Sequence, residues 1–415
     1  MERKKVIFIL IDALGASYFA AQRSRLPYLS SMAEKGFIAE RVRPATPGTS
    51  RPGRATILTG MDTSEHGIYG NSLLLDGRFR PASDRDLEAR TVAQLAAEAG
   101  LDVVGLGFGM LRPEHTSLQV EPWWEHLPQQ GLSNLKIPNR REIWNVSPVR
   151  RDDARRLPAY TEHPLSFAAG NSADAGLHPH LIGLASDQLM LELAADLACS
   201  ERPPDLILTE FSVTDPIQHH HGFDAAATNW AYQTADMAVG LLMHRLSAAG
   251  RLEQFAVIVA GDHGQAPIHT AIYPETILPN APWTSEGASL QVVLRGSREQ
   301  ADVVQRLAEF GVKRLPGGHL PQAARAEGLV TFVAPKGASF EKRPETGDRR
   351  QATGAPVIIS THGLEPGDPG DEAVAIIAGA GMKGNVETGD LLQIAPTIAH
   401  ALGLSLDGFG ARAWT

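Results

Sequence analysis

Cysteine is almost missing: Cys199 is the only one in 415 residues. No intrachain disulfide can form, and no zinc site can be built on thiolates. Long apolar runs are missing too. The longest, Val6–Ile11 and Phe255–Ala260, have the length of strands and fall far short of the roughly 20 residues needed to span a bilayer. There is no excess of positive charge. A net charge of −9 does not suit a general nucleic-acid binder or a protein of anionic membranes. It does not forbid an anionic substrate, because bound metal can supply a local positive field. The basic start, Met1-Glu-Arg-Lys-Lys, leads into an apolar run that ends at Asp12 without a small-residue cleavage site. That argues against a signal peptide and makes the cytoplasm the expected compartment. No internal repeat of solenoid or propeller length is visible.

What is present is the balance of an ordinary globular protein, 43% hydrophobic and 20% charged. The length suits one large domain with an insertion, or two domains. Short β-rich runs at Val6–Ile11, Asp102–Gly105, Leu206–Phe211, Phe255–Ala260, Pro356–Ser360 and Ala373–Ala378 alternate with helix-period segments at Thr91–Ala99, Ser186–Ala198, Asn229–Ala249 and Leu391–Leu402. Such alternation predicts an α/β fold, a central and mostly parallel sheet flanked by helices. Residues from about 110 to 180 are rich in Pro, Arg, Asn and Trp and read as long loops over the sheet. Residues 271–355 hold a strand–helix–strand unit (Leu290–Leu294, Arg298–Phe310, Leu329–Ala334) and read as an inserted small α+β cap. The expected catalytic core is then 1–270 together with 356–415.

Ligand sites of open α/β sheets lie at the carboxyl ends of the strands. Asp12 follows Val6–Ile11 directly, and Asp262-His263-Gly264 follows Phe255–Ala260 after one glycine. His362-Gly363 follows Pro356–Ser360, and Asp215 and His219 lie just past Leu206–Phe211. Any one of these alone reads as a cap or turn residue. The set converging on one edge is hard to explain as capping. Oxygen and imidazole donors without thiolate suit zinc, with manganese or iron as alternatives. Two such ions about 4 Å apart can clamp both sides of a phosphoryl transfer. Pro44-Ala-Thr-Pro-Gly-Thr-Ser50 supplies a nucleophile before an expected helix, whose first amides favour an anion. A bare helix cap at Ser50 fits the spacing equally well.

The run Val6-Ile-Phe-Ile-Leu-Ile-Asp12-Ala-Leu-Gly resembles the first-strand motif of the alkaline phosphatase superfamily, in particular the branch of nucleotide pyrophosphatases/phosphodiesterases. In that branch a Thr or Ser nucleophile precedes Thr-Gly by nine residues, as Ser50 precedes Thr59-Gly60. Glu65-His-Gly-Ile-Tyr-Gly-Asn71 resembles the family's His-Gly-x-x-x-Asn, whose Asn donates to a phosphate oxygen. Asp215, His219 and Gly222 match Asp-x-x-x-His-x-x-Gly, and Asp390 to Gly403 resembles the last core helix. The resemblance covers the chain from end to end. It implies two divalent ions, one on Asp215, His219 and His362 and the other on Asp12, Asp262, His263 and Ser50. His220, His221, His66 and His269 are expected to be structural or rim residues.

The implied reaction is hydrolysis of a phosphodiester or nucleotide pyrophosphate through a covalent phosphoseryl intermediate on Ser50, with Asn71 steadying the phosphate. The partner is a small phosphoester, without nucleic-acid binding beyond a nucleotide. One departure stands out. Relatives usually carry Asn and His where this chain has Gly53 and Arg54, and Ser50-Arg-Pro52-Gly-Arg54 also matches the sulfatase Cys/Ser-x-Pro-x-Arg. Sulfatases oxidise that residue to formylglycine, but they start from an Asp-Asp pair and hold one calcium. A sulfatase, a phosphonate or phosphomonoester hydrolase, and a silent binding protein on this scaffold remain alternatives. Arg54 is expected to touch the phosphate or to lie on the helix surface. The basic stretch Asn139-Arg-Arg141 to Arg150–Arg156 reads as a solvated face or a contact for an anionic tail. Trp123-Trp124 reads as packing or as a stacking platform.

Overall fold

The computed structural model describes residues 3–126, 147–157, 179–345, 350–379 and 381–415. The basic residues at 139–141 lie outside them. The organising strand is Lys5–Ile11, in which Val6 through Ile11 are all fully buried. Successive side chains of a strand point to opposite faces. Val6, Phe8 and Leu10 therefore enter one core, and Ile7, Ile9 and Ile11 enter another. An uninterrupted apolar run is what a strand covered on both faces requires. At about 1.5–3 kcal/mol per fully buried large apolar side chain, this strand is a main stabiliser of the domain.

The strands of the nine-stranded sheet run in the order Gly384–Asp390, Phe37–Arg43, Ala373–Gly379, Phe255–Ala260, Lys5–Ile11, Leu206–Phe211, Val103–Leu106, Leu118–Val120, Val149–Asp152. The five from Phe255–Ala260 to Leu118–Val120 are parallel neighbours. Ala373–Gly379 and Val149–Asp152 run against them. Helices Ser50–Thr59, Val92–Glu98 and Ile394–Ala401 contribute to the first core. Helices Ala16–Gln22, Pro27–Lys35, Pro179–Cys199 and Ala226–Ala248 cover the second. The expected α/β architecture with a mostly parallel sheet is the observed one. Among the described residues, no helix is long and apolar enough to cross a membrane.

Two expectations need correction. Pro356–Ser360 is no strand of the main sheet; only Ser360–Thr361 is extended, paired antiparallel with Ala266–Pro267. Val357 and Ile359 are exposed and Ile358 is only half-buried, so the apolar run is not doubly covered and serves as a connection. The stretch read as loops over the sheet adds two strands to the sheet edge, Leu118–Val120 and Val149–Asp152. The second is polar, which hides it from an apolar pattern search. The inserted stretch builds a four-stranded sheet from Trp283–Glu286, Ser289–Val293, Leu329–Val333 and Lys313–Arg314, with helix Ser297–Ala308 and a core of its own.

Candidate active site

Three adjacent parallel strands, Phe255–Ala260, Lys5–Ile11 and Leu206–Phe211, end at the same edge of the sheet. Asp12 stands directly after the central one. The next residue, Ala13, adopts a left-handed backbone (φ 58°), rare for a residue with a side chain. That turn is braced from outside: Tyr232 donates its hydroxyl to the Ala13 carbonyl at 2.6 Å, and Thr214 donates to the Asp12 carbonyl at 2.6 Å. Asp215 lies in the first turn of helix Thr214–His221, and one turn later the same face presents His219, whose Nε2 lies 3.3 Å from Asp215 Oδ2. Gln265 donates Nε2 to Asp215 Oδ1 at 2.5 Å and fixes that carboxylate. Ser360–Thr361, stitched to Ala266–Pro267, brings His362 back over His263, and their rings stack at 4.0 Å between centroids.

The histidines share one arrangement. Nδ1 of His219 lies 2.7 Å from the Ser360 carbonyl, Nδ1 of His362 lies 2.9 Å from that of Gly48, and Nδ1 of His263 lies 3.1 Å from that of Gly264. A carbonyl only accepts, so each Nδ1 carries a proton, and in the neutral imidazole each Nε2 is left with a lone pair. Those Nε2 atoms face oxygens: Asp215 for His219 and His362, and Asp12 Oδ1 at 3.6 Å with Asp262 Oδ2 at 3.6 Å for His263. Imidazoles oriented by a second hydrogen bond are the usual form of metal ligands. Two groups of donor atoms lie close enough to share a cation, Asp215–His219–His362 and Asp12–Asp215–His263. Asp12 Oδ1 is buried and has no hydrogen-bond partner, which fits a cation aimed at from that side.

The electrostatics agree. Burial and the nearby Asp262 push the Asp12 carboxyl well above its usual range. Burial likewise pushes Asp262 up to about 6. Burial opposes charge on Asp215 as well, but His219, His362 and His263 pull it below the usual carboxylate range. Burial also works against a charged His219, yet Asp215 raises it to about 9. His362 and His263 are held below their ordinary value, mainly by burial. Asp12 and Asp262 thus resist ionisation, whereas the histidines favour the ionised form of Asp215.

Ser50 is the first residue of helix Ser50–Thr59, and its Oγ lies 3.3 Å from His263 Nε2. The helix start is less open to an anion than expected. Asn71 Oδ1 accepts the Arg51 amide at 2.9 Å, Pro52 has none, and the Gly53 amide goes to the Thr49 carbonyl. The same bond seats Asn71 beside Ser50.

A family model described as type I phosphodiesterase / nucleotide pyrophosphatase matches residues 6–373. The chain belongs to this family. Its members are hydrolases acting on phosphoester bonds. An uncharacterized pyrophosphatase/phosphodiesterase of Schizosaccharomyces pombe is 25% identical over 265 residues, which is 63% of this chain and 45% of the yeast protein. The chain therefore spans less than half the length of that relative. Among solved structures, human ectonucleotide pyrophosphatase/phosphodiesterase 5 shares the fold with a TM-score of 0.67 at 14% identity, over 97% of this chain and 96% of that one. The murine counterpart, in an inactive form in complex with AMP, gives 0.66 at 14% identity over 99% and 97%.

Against the pattern of this family, Arg54 is the residue whose place differs most from expectation. It is neither at the surface nor free to meet a phosphate. It is fully buried, and every N–H of its guanidinium is engaged. Nε donates to Glu210 Oε2 at 2.8 Å; Nη1 donates to Asp262 Oδ2 at 3.0 Å and to the Ser50 carbonyl at 3.1 Å. Nη2 donates to Asp12 Oδ2 at 2.7 Å and Glu210 Oε1 at 3.3 Å. Asp262 Oδ1 meanwhile accepts from the amides of Ala13 and His263. Asp262 is thus more tightly held by the protein than the other carboxylates, and it lies outside both donor groups. Trp124 does not offer a free stacking face: its ring lies over both Arg51 and Arg54, and its Nε1 donates to Glu210 at 2.5 Å. Trp123 is buried and donates to Asp187.

Two residues here escape a sequence reading. Glu210 is the penultimate residue of the apolar strand Leu206–Phe211, and a lone acid in such a strand is the available signal. Glu286, from the inserted sheet, hydrogen-bonds with Asn71; burial raises its carboxyl, and His219 pulls it back. Nothing local marks it. His66 is buried between Thr56 and the Ile68 amide, and His220, His221 and His269 are exposed.

Proposed function

We propose that the chain hydrolyses phosphodiester or nucleotide pyrophosphate bonds by attack of Ser50 Oγ on phosphorus. The observation that carries this reading is the set of three histidines, each turned by a backbone carbonyl so that Nε2 faces Asp12 or Asp215, with Ser50 Oγ at the innermost one. Asp215, His219 and His362 would hold one divalent cation, and Asp12, Asp262, His263 and Ser50 a second; zinc is favoured, with manganese or iron as alternatives. Such cations supply Lewis acidity and lower the pKa of a nearby hydroxyl.

In the first step the Ser50 Oγ–P bond forms as the bond from phosphorus to the leaving oxygen breaks, and the leaving group takes up the proton. In the second, water cleaves the phosphoseryl bond, releases the phosphorylated product and restores the serine. Asn71, seated next to Ser50, would donate to a non-bridging oxygen. A narrow cleft of about 10 Å³, room for about one water, adjoins it, lined in part by Thr49, Asn71, Glu286 and Ser289. Residues 271–355 would then act as a cap that shapes the substrate side. A small nucleotide-like phosphoester is the proposed substrate class, and the cytoplasm, expected from the sequence, the proposed setting.

The test is chemical. Ser50→Ala should fold and lose about 10³-fold or more in kcat, because nucleophile deletions leave only binding and electrostatic stabilisation. Ser50→Thr should retain measurable activity. Rates on aryl phosphodiesters should exceed those on monoesters and sulfates, and peptide mass spectrometry should find Ser50 unmodified. A peptide lighter by two hydrogens, with sulfate esters preferred, would overturn the reading in favour of a formylglycine sulfatase.

A further inference from the structure

Arg54 sits where the acids of the site are densest. Its single charge is shared among Asp12, Asp262 and Glu210, and its side chain and those of Glu210 and Asp262 have no exposure at all. Glu210 is saturated with donors: besides Arg54 it accepts from Trp124, from the Ser212 hydroxyl and from the Gly109 amide. Trp124 closes the guanidinium from the other side. The ion cluster is therefore a rigid, dry unit, not a flexible surface pair. It takes one oxygen from each of two carboxylates expected to serve a cation. What is left on this side is Asp12 Oδ1, His263 Nε2 and Ser50 Oγ, with Asp215 shared from the neighbouring group.

We propose that Arg54 is a built-in counter-cation for the Asp12–Asp262–His263 half of the site, which makes this the weaker and more readily emptied of two cation positions. The inference rests on the two-cation reading above. Physically, a fixed positive charge bonded to two ligand carboxylates already offsets part of their charge and repels an arriving cation through a water-poor interior. The opposite half, Asp215–His219–His362, has no arginine or lysine among its contacts in the described residues. Glu210 tunes the effect, since it draws the guanidinium's charge away from Asp12 and Asp262. Arg54 is thus a positioning residue: it acts on the cation and the nucleophile through the carboxylates it holds.

Two substitutions separate this from a merely structural role. Metal-free full-length protein is titrated with Zn²⁺ or Mn²⁺ in competition with a chromophoric chelator. Wild type should bind one cation tightly and a second at least about 10-fold more weakly, the scale on which residues behind metal ligands act. Arg54→Met should tighten the second by about 10-fold or more, whereas Glu210→Gln should weaken it. Arg54→Lys, which keeps the charge and loses the fork, should stay near wild type, so the inference remains testable if the Met variant does not fold. A structural role predicts instead that every one of these substitutions weakens binding, and that result overturns the inference. Two cations of equal affinity in wild type overturn it while leaving the proposed function standing. No cation at all overturns both.

Discussion

His66 belongs to neither group of candidate cation donors. It lies buried outside the site, with Nε2 3.0 Å from Thr56 Oγ1 and Nδ1 accepting the Ile68 amide at 3.1 Å. Burial pushes its pKa down to about 4. The unfolded chain protonates the same imidazole near 6.5. Between these values the unfolded state binds the proton and the folded state does not, so stability is full above about 6.5 and falls as the pH drops towards 4. Wild type should lose up to about 3 kcal/mol more than His66→Gln between pH 7 and 4. Urea unfolding of both proteins across that range measures it; parallel curves would count against the assignment. At the same scale, the left-handed Ala13 and the unpartnered Asp12 Oδ1 show strain and an unmet bond concentrated where the chemistry is expected.

Helix Ser50–Thr59 is the element that ties nucleophile to acids. Its first turn carries Ser50, its second Arg54, and between them Gly53 lets the backbone approach the strand end that bears Asp262. A Cβ built at Gly53 would meet the Asp262 Cβ at 2.8 Å, closer than real contacts allow. In an exposed helix Gly→Ala stabilises by up to about 1 kcal/mol. Here Gly53→Ala should destabilise by about 1–3 kcal/mol through overpacking, and it should lower activity by moving Asp262. A variant more stable than wild type would show that the helix has room to shift. The insertion is the other decisive element. It follows the strand Phe255–Ala260 and the Asp262–His263 turn, builds its own sheet and brings Glu286 to the pocket, and the chain after it brings back His362.

For the whole molecule, cation loading and folding should be linked. In chelated protein His219 has its pKa raised to about 9 by Asp215, against about 6.5 in the unfolded chain. The folded state then holds the extra proton between these values. Its contribution to stability is full below about 6.5 and is lost as the pH rises through 9. The melting temperature of chelated protein should therefore fall between pH 7 and 9. Saturating cation should flatten or reverse the trend, because cation and proton compete for the same Nε2. A chelated protein whose melting temperature rises over that range would contradict the Asp215–His219 pairing.

The amino-acid sequence by itself determined the elements with strong local signals. The doubly covered strands Lys5–Ile11, Leu206–Phe211 and Phe255–Ala260 are continuous apolar runs, and a residue directly after such a run must sit at the sheet edge. That is why Asp12, Asp262 and His263 are legible from local signals, whereas Ser50 is marked by its Gly/Pro-rich loop and by the family resemblance. Polar edge strands such as Val149–Asp152 and Gly384–Asp390 carry no apolar period and stayed hidden. Pro356–Ser360 carries the apolar signal yet forms no strand of the main sheet; its backbone bonds at Ile359 go to Ile268 and His219, and it carries the chain back to the pocket. Only the tertiary structure decided the partners of Arg54. Its spacing from Ser50 allowed a phosphate contact or a surface position equally, and the choice was made by Glu210, 156 residues further along, whose charge had to be met once the strand was buried. The place of Glu286 beside Asn71 has the same origin. Contacts between residues distant in the chain depend on which surfaces pack together, and no local period encodes that.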